Sequence, residues 1–282
     1  MAETLRPQSP NQAIAWYVST VSIDLDLEGT VVLVTGGTRG VGAGISRVFL
    51  EAGATVVACA RRPGDEPVTA AGRTAHYLPC DVRDEEAVRG LVDEIVAKFG
   101  RLDTVVNNAG GTPFRLAADA TPSYHAKITE LNMLAPLLVS QEANRVMQQQ
   151  EAGGSIVNVS SVSGRRPSPG SAAYGAAKAG LDSLVSSLAV EWAPKVRINS
   201  IVVGMVETEQ SHLHYGDDEG IAAVGATIPV GRLARPEEIG NCALFLASPL
   251  ASYVTGAALV AHGGGERPAF LSAANVDQGA SV

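Results

Sequence analysis

The sequence predicts an α/β fold: a single domain on one doubly wound parallel sheet with helices on both faces. Three observations carry this. Short β-branched runs recur along the chain, each followed by a stretch with helical periodicity, and that alternation implies crossover connections between parallel strands. The first run opens into a glycine-rich turn that leads into a helix. The chain has 282 residues, 46% of them hydrophobic, ample for a large core.

Residues 30–34, TVVLV, form the first buried strand. TGGTRGVG follows at 35–42, and then GISRVFLEAG with an apolar helical pattern. Strand, glycine turn and helix together suit the phosphates of a dinucleotide. Glycines let the backbone turn sharply and approach a pyrophosphate, and the helix N-terminus offers free N–H groups and positive dipole. Gly36, Thr38, Arg39, Gly40, Val41 and Gly42 are the candidate contacts. The second strand is 55–60, TVVACA. About 20 residues past the turn, an NAD site carries an acid for the ribose hydroxyl. Here Arg61 and Arg62 follow Ala60, and no acid appears before Asp65. A guanidinium suits a 2′-phosphate. Arg61, with Arg39 from the turn, therefore favours NADP(H), with NAD(H) still possible. Arg62 and Arg73 read as solvated loop charges.

Residues 76–82, HYLPCDV, read as the third strand, ending near Asp81 and Val82. A helix follows over about 85–99, stopped by Gly100. Residues 102–106 are the fourth strand and lead into NNAG at 107–110, where the asparagine pair suits a turn. A long helix over about 123–149 contains Asn132, and Pro136 should kink or split it. Asn132 is polar among apolar neighbours, as either a satisfied core amide or a site residue. SIVNVSS at 155–161 and VRINSIVV at 196–203 are the fifth and sixth strands. Residues 205–227 are polar and mixed, a helix starts at Pro236, and 253–262 hold the last strand.

Twenty-one basic against 29 acidic residues give a net charge of -8, which argues against a nucleic-acid partner. Cys59, Cys80 and Cys242 are far apart and form no C-x-x-C pair, so they read as reduced thiols in a reducing, cytoplasmic setting. No run reaches the roughly 18 apolar residues of a membrane helix. Residues 1–25 read as a flexible extension with Trp16 and Tyr17 as candidate anchors, not as a signal peptide. The domain proper spans 26–264, and 265–282 is a tail.

YGAAK at 174–178 opens the helix after the fifth strand, and Tyr174 and Lys178 lie one above the other on its face. A phenol titrates near 10, and a nearby ammonium favours its ionised form, so such a pair suits proton transfer at a carbonyl or alcohol oxygen. A surface tyrosine–lysine pair is the plainer account of the spacing taken alone.

These motifs, in this order over roughly residues 27–264, resemble the single-domain branch of the short-chain dehydrogenase/reductases, with its Rossmann-type fold. TGGTRGVG resembles the family's T-G-x-x-x-G-x-G turn, and NNAG its fourth-strand motif, with Asn108, Ala109 and Gly110 at the cofactor. The resemblance implies that Asp81, beside Val82, contacts the adenine. It also implies a catalytic tetrad of Asn132, Ser161, Tyr174 and Lys178; Ser161 rather than Ser160 fits the family's spacing to the tyrosine. Tyr174 would be the general acid or base, and Lys178 would lower its pKa and hold the nicotinamide ribose. Ser161 would orient the substrate oxygen, and Asn132 would hold a relay water. Gly204, Val206 and Thr208 would also contact the cofactor. The chain departs from the family with Val203 before Gly204 in place of proline, and with AHGG at 261–264.

The resemblance implies an NADP(H)-dependent oxidoreductase acting on a ketone or secondary alcohol of a fairly apolar small molecule. A 3-oxoacyl thioester reductase and a catalytically silent dinucleotide-binding sensor or scaffold are the alternatives. His212 and His214 lack a third ligand at fixed spacing, so no metal is expected, and residues 205–227 read as a substrate lid. Arg115, Arg165 and Arg166 are either surface charges or holders of an anionic substrate. Small residues along the Tyr174 helix suit close packing in a homotetramer or homodimer.

Overall fold

The computed structural model describes Leu25 and residues 27–273. The N-terminal extension with Trp16 and Tyr17, and the tail beyond 273, lie outside the described residues. In chain order the elements are β1 (Val31–Thr35), α1 (Gly40–Glu51), β2 (Thr55–Ala60), β3 (Thr69–Ala70), β4 (Arg73–Thr74), β5 (His76–Pro79), α2 (Glu85–Phe99) and β6 (Thr104–Asn107). Then come α3 (Pro122–Thr129), a π-helical turn (Glu130–Leu134), α4 (Ala135–Met147), β7 (Gly154–Ser161), α5 (Ala172–Trp192) and β8 (Val196–Val203). The chain continues through α6 (His212–Tyr215), α7 (Asp218–Ala226), α8 (Pro236–Ala247), β9 (Ala258–Ala261) and α9 (Ala269–Ala273).

Seven strands form one sheet in the order β5-β2-β1-β6-β7-β8-β9, all pairings parallel. The direction of winding reverses between β1 and β6, so a crevice opens at their carboxyl ends. One face of the sheet packs on α2, α4 and α5 through Val88, Ile95, Val139 and Val185; the other packs on α1 and α8 through Ile45, Phe49, Ile239 and Leu246. Gly44 of α1 lets the two helices touch: a Cβ there would lie 2.3 Å from the Pro236 side chain. Local chemistry sets the helix ends. Asp84 accepts from the Ala87 N–H at 3.0 Å at the start of α2, and Gly100, at φ 80°, stops it.

Several elements differ from the sequence expectation. The long helix over 123–149 is split, as Pro136 requires, but the break takes the form of the π turn just before the proline. Ala135 donates to the Glu130 carbonyl five residues back. Pro136 has no N–H for the Asn132 carbonyl, and its ring crowds that position. The last strand is four residues long, not ten, because Gly256 at φ 72° turns the chain just ahead of it. The third strand stops at Pro79, before Cys80 and Asp81. The hairpin of β3 and β4 was not expected; Ala71 and Gly72, both at positive φ, close it as a two-residue turn. The segment 205–227 holds two short helices, and Asp217 caps the second through the Gly220 N–H at 3.0 Å.

Candidate active site

The crevice is a cleft of about 940 Å³, within the range of small-molecule sites. Its base is tied together by backbone-directed hydrogen bonds. The Thr35 hydroxyl accepts from the N–H groups of Asn108 and Ala109, both at 3.0 Å, and the Asn108 amide donates to the Thr35 carbonyl at 3.0 Å. The glycine turn and the NNAG loop are thus one rigid unit. Gly42 must be glycine, since a Cβ there would lie 2.1 Å from the Gly36 carbonyl oxygen. Gly40 sits at φ 52° at the start of α1, whose N-terminal turn carries no acid and no side-chain cap. Gly40, Val41 and Gly42 of that turn line the cleft beside Arg39, a setting that suits an anion.

Every cofactor position named from the sequence lines this one cleft: the glycine-turn residues, Arg61, Asp81 and Val82, Asn108 to Gly110, Tyr174, Lys178, Gly204, Val206 and Thr208. Arg62, read from sequence as a solvated loop charge, is exposed on the turn after β2, as expected, and also stands on the cleft lining. Arg73 pairs with Glu28 instead. Asp81 is held by Arg83, which donates through Nε at 2.9 Å and a terminal nitrogen at 2.6 Å. That guanidinium holds the Asp81 carboxyl at about 2. Arg83 also lines the cleft and was missed, being an ordinary loop residue until the chain folds; Glu209, Gln210 and His214, from the segment read as a lid, line it too. A Cβ on Gly40 would lie 3.7 Å from the Glu209 carboxylate.

At the inner end, β7 and α5 bring Ser161, Tyr174 and Lys178 together. Ser160 also borders the cleft but is 2% exposed, and its hydroxyl is engaged, donating to the Lys178 carbonyl at 3.4 Å. The Ser161 hydroxyl accepts from the Ser163 N–H at 3.1 Å and lies close enough to Tyr174 to pull its pKa down. Lys178 is 3% exposed and donates to the Val159 carbonyl at 2.7 Å, with its nitrogen 5.6 Å from the Tyr174 ring centre. Burial lowers its pKa to about 8, against a smaller upward pull from Asp182. Burial pushes the Tyr174 phenol up, and the neighbouring Ser161 hydroxyl only partly offsets it. The lowered tyrosine expected from the sequence is therefore not found: burial dominates, and Lys178, turned to the Val159 carbonyl, is not among the groups that pull the phenol down.

Asn132 is fully buried and does not line the cleft. Its amide donates to the carbonyls of Gly111 at 3.0 Å and Ile128 at 2.9 Å, and its oxygen accepts from the Gly111 N–H at 2.8 Å. It pins the NNAG loop from behind. Arg115, Arg165 and Arg166 are also absent from the cleft lining. Arg115 lies over the Tyr124 ring, Arg165 pairs with Asp182 at 3.4 Å, and Arg166 pairs with Glu266.

The family model described as "Enoyl-(Acyl carrier protein) reductase" matches residues 36–266. An uncharacterized oxidoreductase of Methylorubrum extorquens is 38% identical over 246 residues, covering 84% of this chain and 98% of the relative. The chain belongs to the short-chain dehydrogenase/reductase family. A 3-oxoacyl-[acyl-carrier-protein] reductase of Aquifex aeolicus is 34% identical to this short-chain dehydrogenase/reductase, covering 86% and 99% of the two chains. Among solved structures, the aldohexose dehydrogenase of Thermoplasma acidophilum in ligand-free form superposes with a TM-score of 0.79 at 27% identity, over 91% of this chain and 99% of that one. As a short-chain dehydrogenase/reductase the protein is an oxidoreductase that uses a nicotinamide cofactor and acts on a small molecule.

Proposed function

We propose that the protein is an NADP(H)-dependent reductase of ketones, or in reverse a secondary-alcohol dehydrogenase, with Tyr174 as its general acid/base. The convergence of Ser161, Tyr174 and Lys178 on the cleft lined by the glycine turn and the NNAG loop carries this reading. The bound nicotinamide supplies or accepts the hydride at the carbonyl carbon. Tyr174 gives the carbonyl oxygen its proton in reduction and takes it back in oxidation. Ser161 holds that oxygen in line with the phenol. Lys178 holds the nicotinamide ribose and, while charged, stabilises the phenolate that forms. Asn132 would fix the NNAG loop at the cofactor; its side-chain NH2, spent on the Gly111 and Ile128 carbonyls, is not free for the relay water that the resemblance implies. Asp81 would hold the adenine, and Gly204, Val206 and Thr208 would contact the nicotinamide end of the bound cofactor.

Arg39, Arg61 and Arg62 on the outer cleft favour the 2′-phosphate of NADP(H). Residues 205–227 act as a substrate lid in a cytoplasmic homotetramer or homodimer. Leu213, 68% exposed, stands next to the cleft-lining His214 in sequence, and Phe114, 74% exposed, three residues after the cleft-lining Gly111; both favour a fairly apolar substrate. The names of relatives such as the Aquifex enzyme favour a 3-oxoacyl thioester as a second reading; the three arginines that would have held an anion turn elsewhere. Fluorescence titration with NADPH and with NADH tests the proposal first. Tighter NADPH binding supports it and directs a screen of ketones against 3-oxoacyl thioesters. Equal binding, or preference for NADH, sinks the phosphate argument; binding of neither sinks the dinucleotide reading.

A further inference from the structure

Tyr174, Lys178 and Asp182 stand one helical turn apart on α5, so their side chains share a face. A buried ammonium with neutral partners alone gives up its proton. The Val159 carbonyl that Lys178 touches is a neutral partner. Asp182 is 14% exposed at its side chain, and its contact with the half-exposed Arg165 guanidinium is long, at 3.4 Å. Its other carboxylate oxygen, Oδ1, is buried with no hydrogen-bond partner. An ion pair to Arg165 gives no reason to bury that oxygen, whereas an ammonium one turn away does.

We propose that Asp182 is a positioning residue for Lys178: its carboxylate is the counter-charge that keeps the buried ammonium protonated, and Arg165 competes for that charge. The proposal rests on the role given to Lys178 above. Other groups around Lys178 are accounted for. The π turn presents the Asn132 amide, and the NNAG loop presents Gly110, where a Cβ would lie 3.4 Å from the ammonium. Tyr174 presents its ring. Of the charged groups on neighbouring elements, Glu130 acts on Arg83, Glu142 is held by Arg89 and Arg145, and Lys127 of α3 is exposed. The upward pull of Asp182 on the Lys178 pKa agrees with this geometry.

The arrangement also has a mechanical side. Arg165 follows the β7 end that carries Ser161, and Asp182 follows Lys178 on α5. The same carboxylate therefore joins the two pieces of chain that bring the reacting groups together.

Four lysines, Lys98, Lys127, Lys178 and Lys195, make a direct titration practicable. Lysine labelled with carbon-13 at Cε is followed by NMR across pH in the full chain, with Lys178 assigned through Lys178→Arg. The wild-type signal should titrate near about 8. Asp182→Asn should lower it by on the order of one unit, and Asp182→Glu, which keeps the charge, should restore most of the shift. Arg165→Gln breaks the same ion pair from the other side and should raise the midpoint or leave it in place. An unmoved midpoint in Asp182→Asn overturns the proposal, as does a matching fall in Arg165→Gln, which would mark a purely structural tie. If the Asn variant does not fold, Asp182→Ser serves in its place. The pH profile of turnover should shift in the same sense as the titration. Failure of the wild type to bind any dinucleotide would sink the proposed function, while the lysine titration would still decide the role of Asp182.

Discussion

Tyr174 and Lys178 are both pushed toward their neutral forms by burial. A site built this way gives up stability for chemistry. Lys178→Met should raise stability at pH 7 by up to about 2 kcal/mol, net of the lost Val159 hydrogen bond. The folded pKa, about 8, lies below the free value of 10.5. The unfolded chain therefore holds that proton more tightly, and wild-type stability rises as pH climbs through this window. The advantage of methionine should be full below pH 8 and fade toward 10.5; denaturant midpoints across that range check it. For Tyr174→Phe, steady-state turnover should fall by roughly 10²–10⁴-fold while the dinucleotide affinity stays within a factor of about two. Equal losses in turnover and affinity would instead place Tyr174 in binding alone.

At the scale of elements, α1 and α8 meet where there is no room for a side chain. Gly44→Val should cost about 1–3 kcal/mol, because a Cβ already falls 2.3 Å from Pro236 and 2.6 Å from its backbone carbon. Urea unfolding reads the loss. The start of α8 has a second determinant: Glu238 accepts from the Arg235 N–H at 2.7 Å and pairs with Arg232 at 2.7 Å. Its carboxyl is held at about 2, below the ordinary 4.5. Its contribution is therefore full above pH 4.5 and lost as pH falls through 2. Glu238→Ala should cost about 1 kcal/mol at neutral pH, discounted for exposure, and the gap to wild type should close in acid. A gap that persisted at pH 2 would mean the helix loses packing rather than its charged cap. The π turn is the third case. It is a local consequence of Pro136, and it sets Asn132 against the NNAG loop rather than in the cleft.

For the whole molecule, the outer cleft carries the charge that decides between the two nicotinamide cofactors. Arg39→Ala and Arg61→Ala should each weaken NADPH binding by roughly 10–100-fold and leave NADH almost unchanged; paired titrations separate the two. A fall in both would assign these arginines to the pyrophosphate. The edge strand β9 exposes Val260, and the adjoining region exposes Phe245, Leu250 and Tyr253. Sedimentation at micromolar concentration should find a dimer or tetramer rather than a monomer.

The sequence determined most of what is local. Alternating buried runs and periodic helices set the parallel sheet, and the spacing of glycines in 35–42 set a turn that only glycine can make. Tyr174 and Lys178 were placed on one helix face by their separation of four residues. Tertiary structure decided what depends on distant neighbours. It brought Arg62 into the cleft and turned Arg115, Arg165 and Arg166 to other partners. It gave Asp81 to Arg83 and buried the Lys178 ammonium against the Val159 carbonyl. The reason is the range of the forces involved. Backbone sterics and hydrophobic period act within a few residues, whereas desolvation and ion pairing depend on which segments the fold packs together.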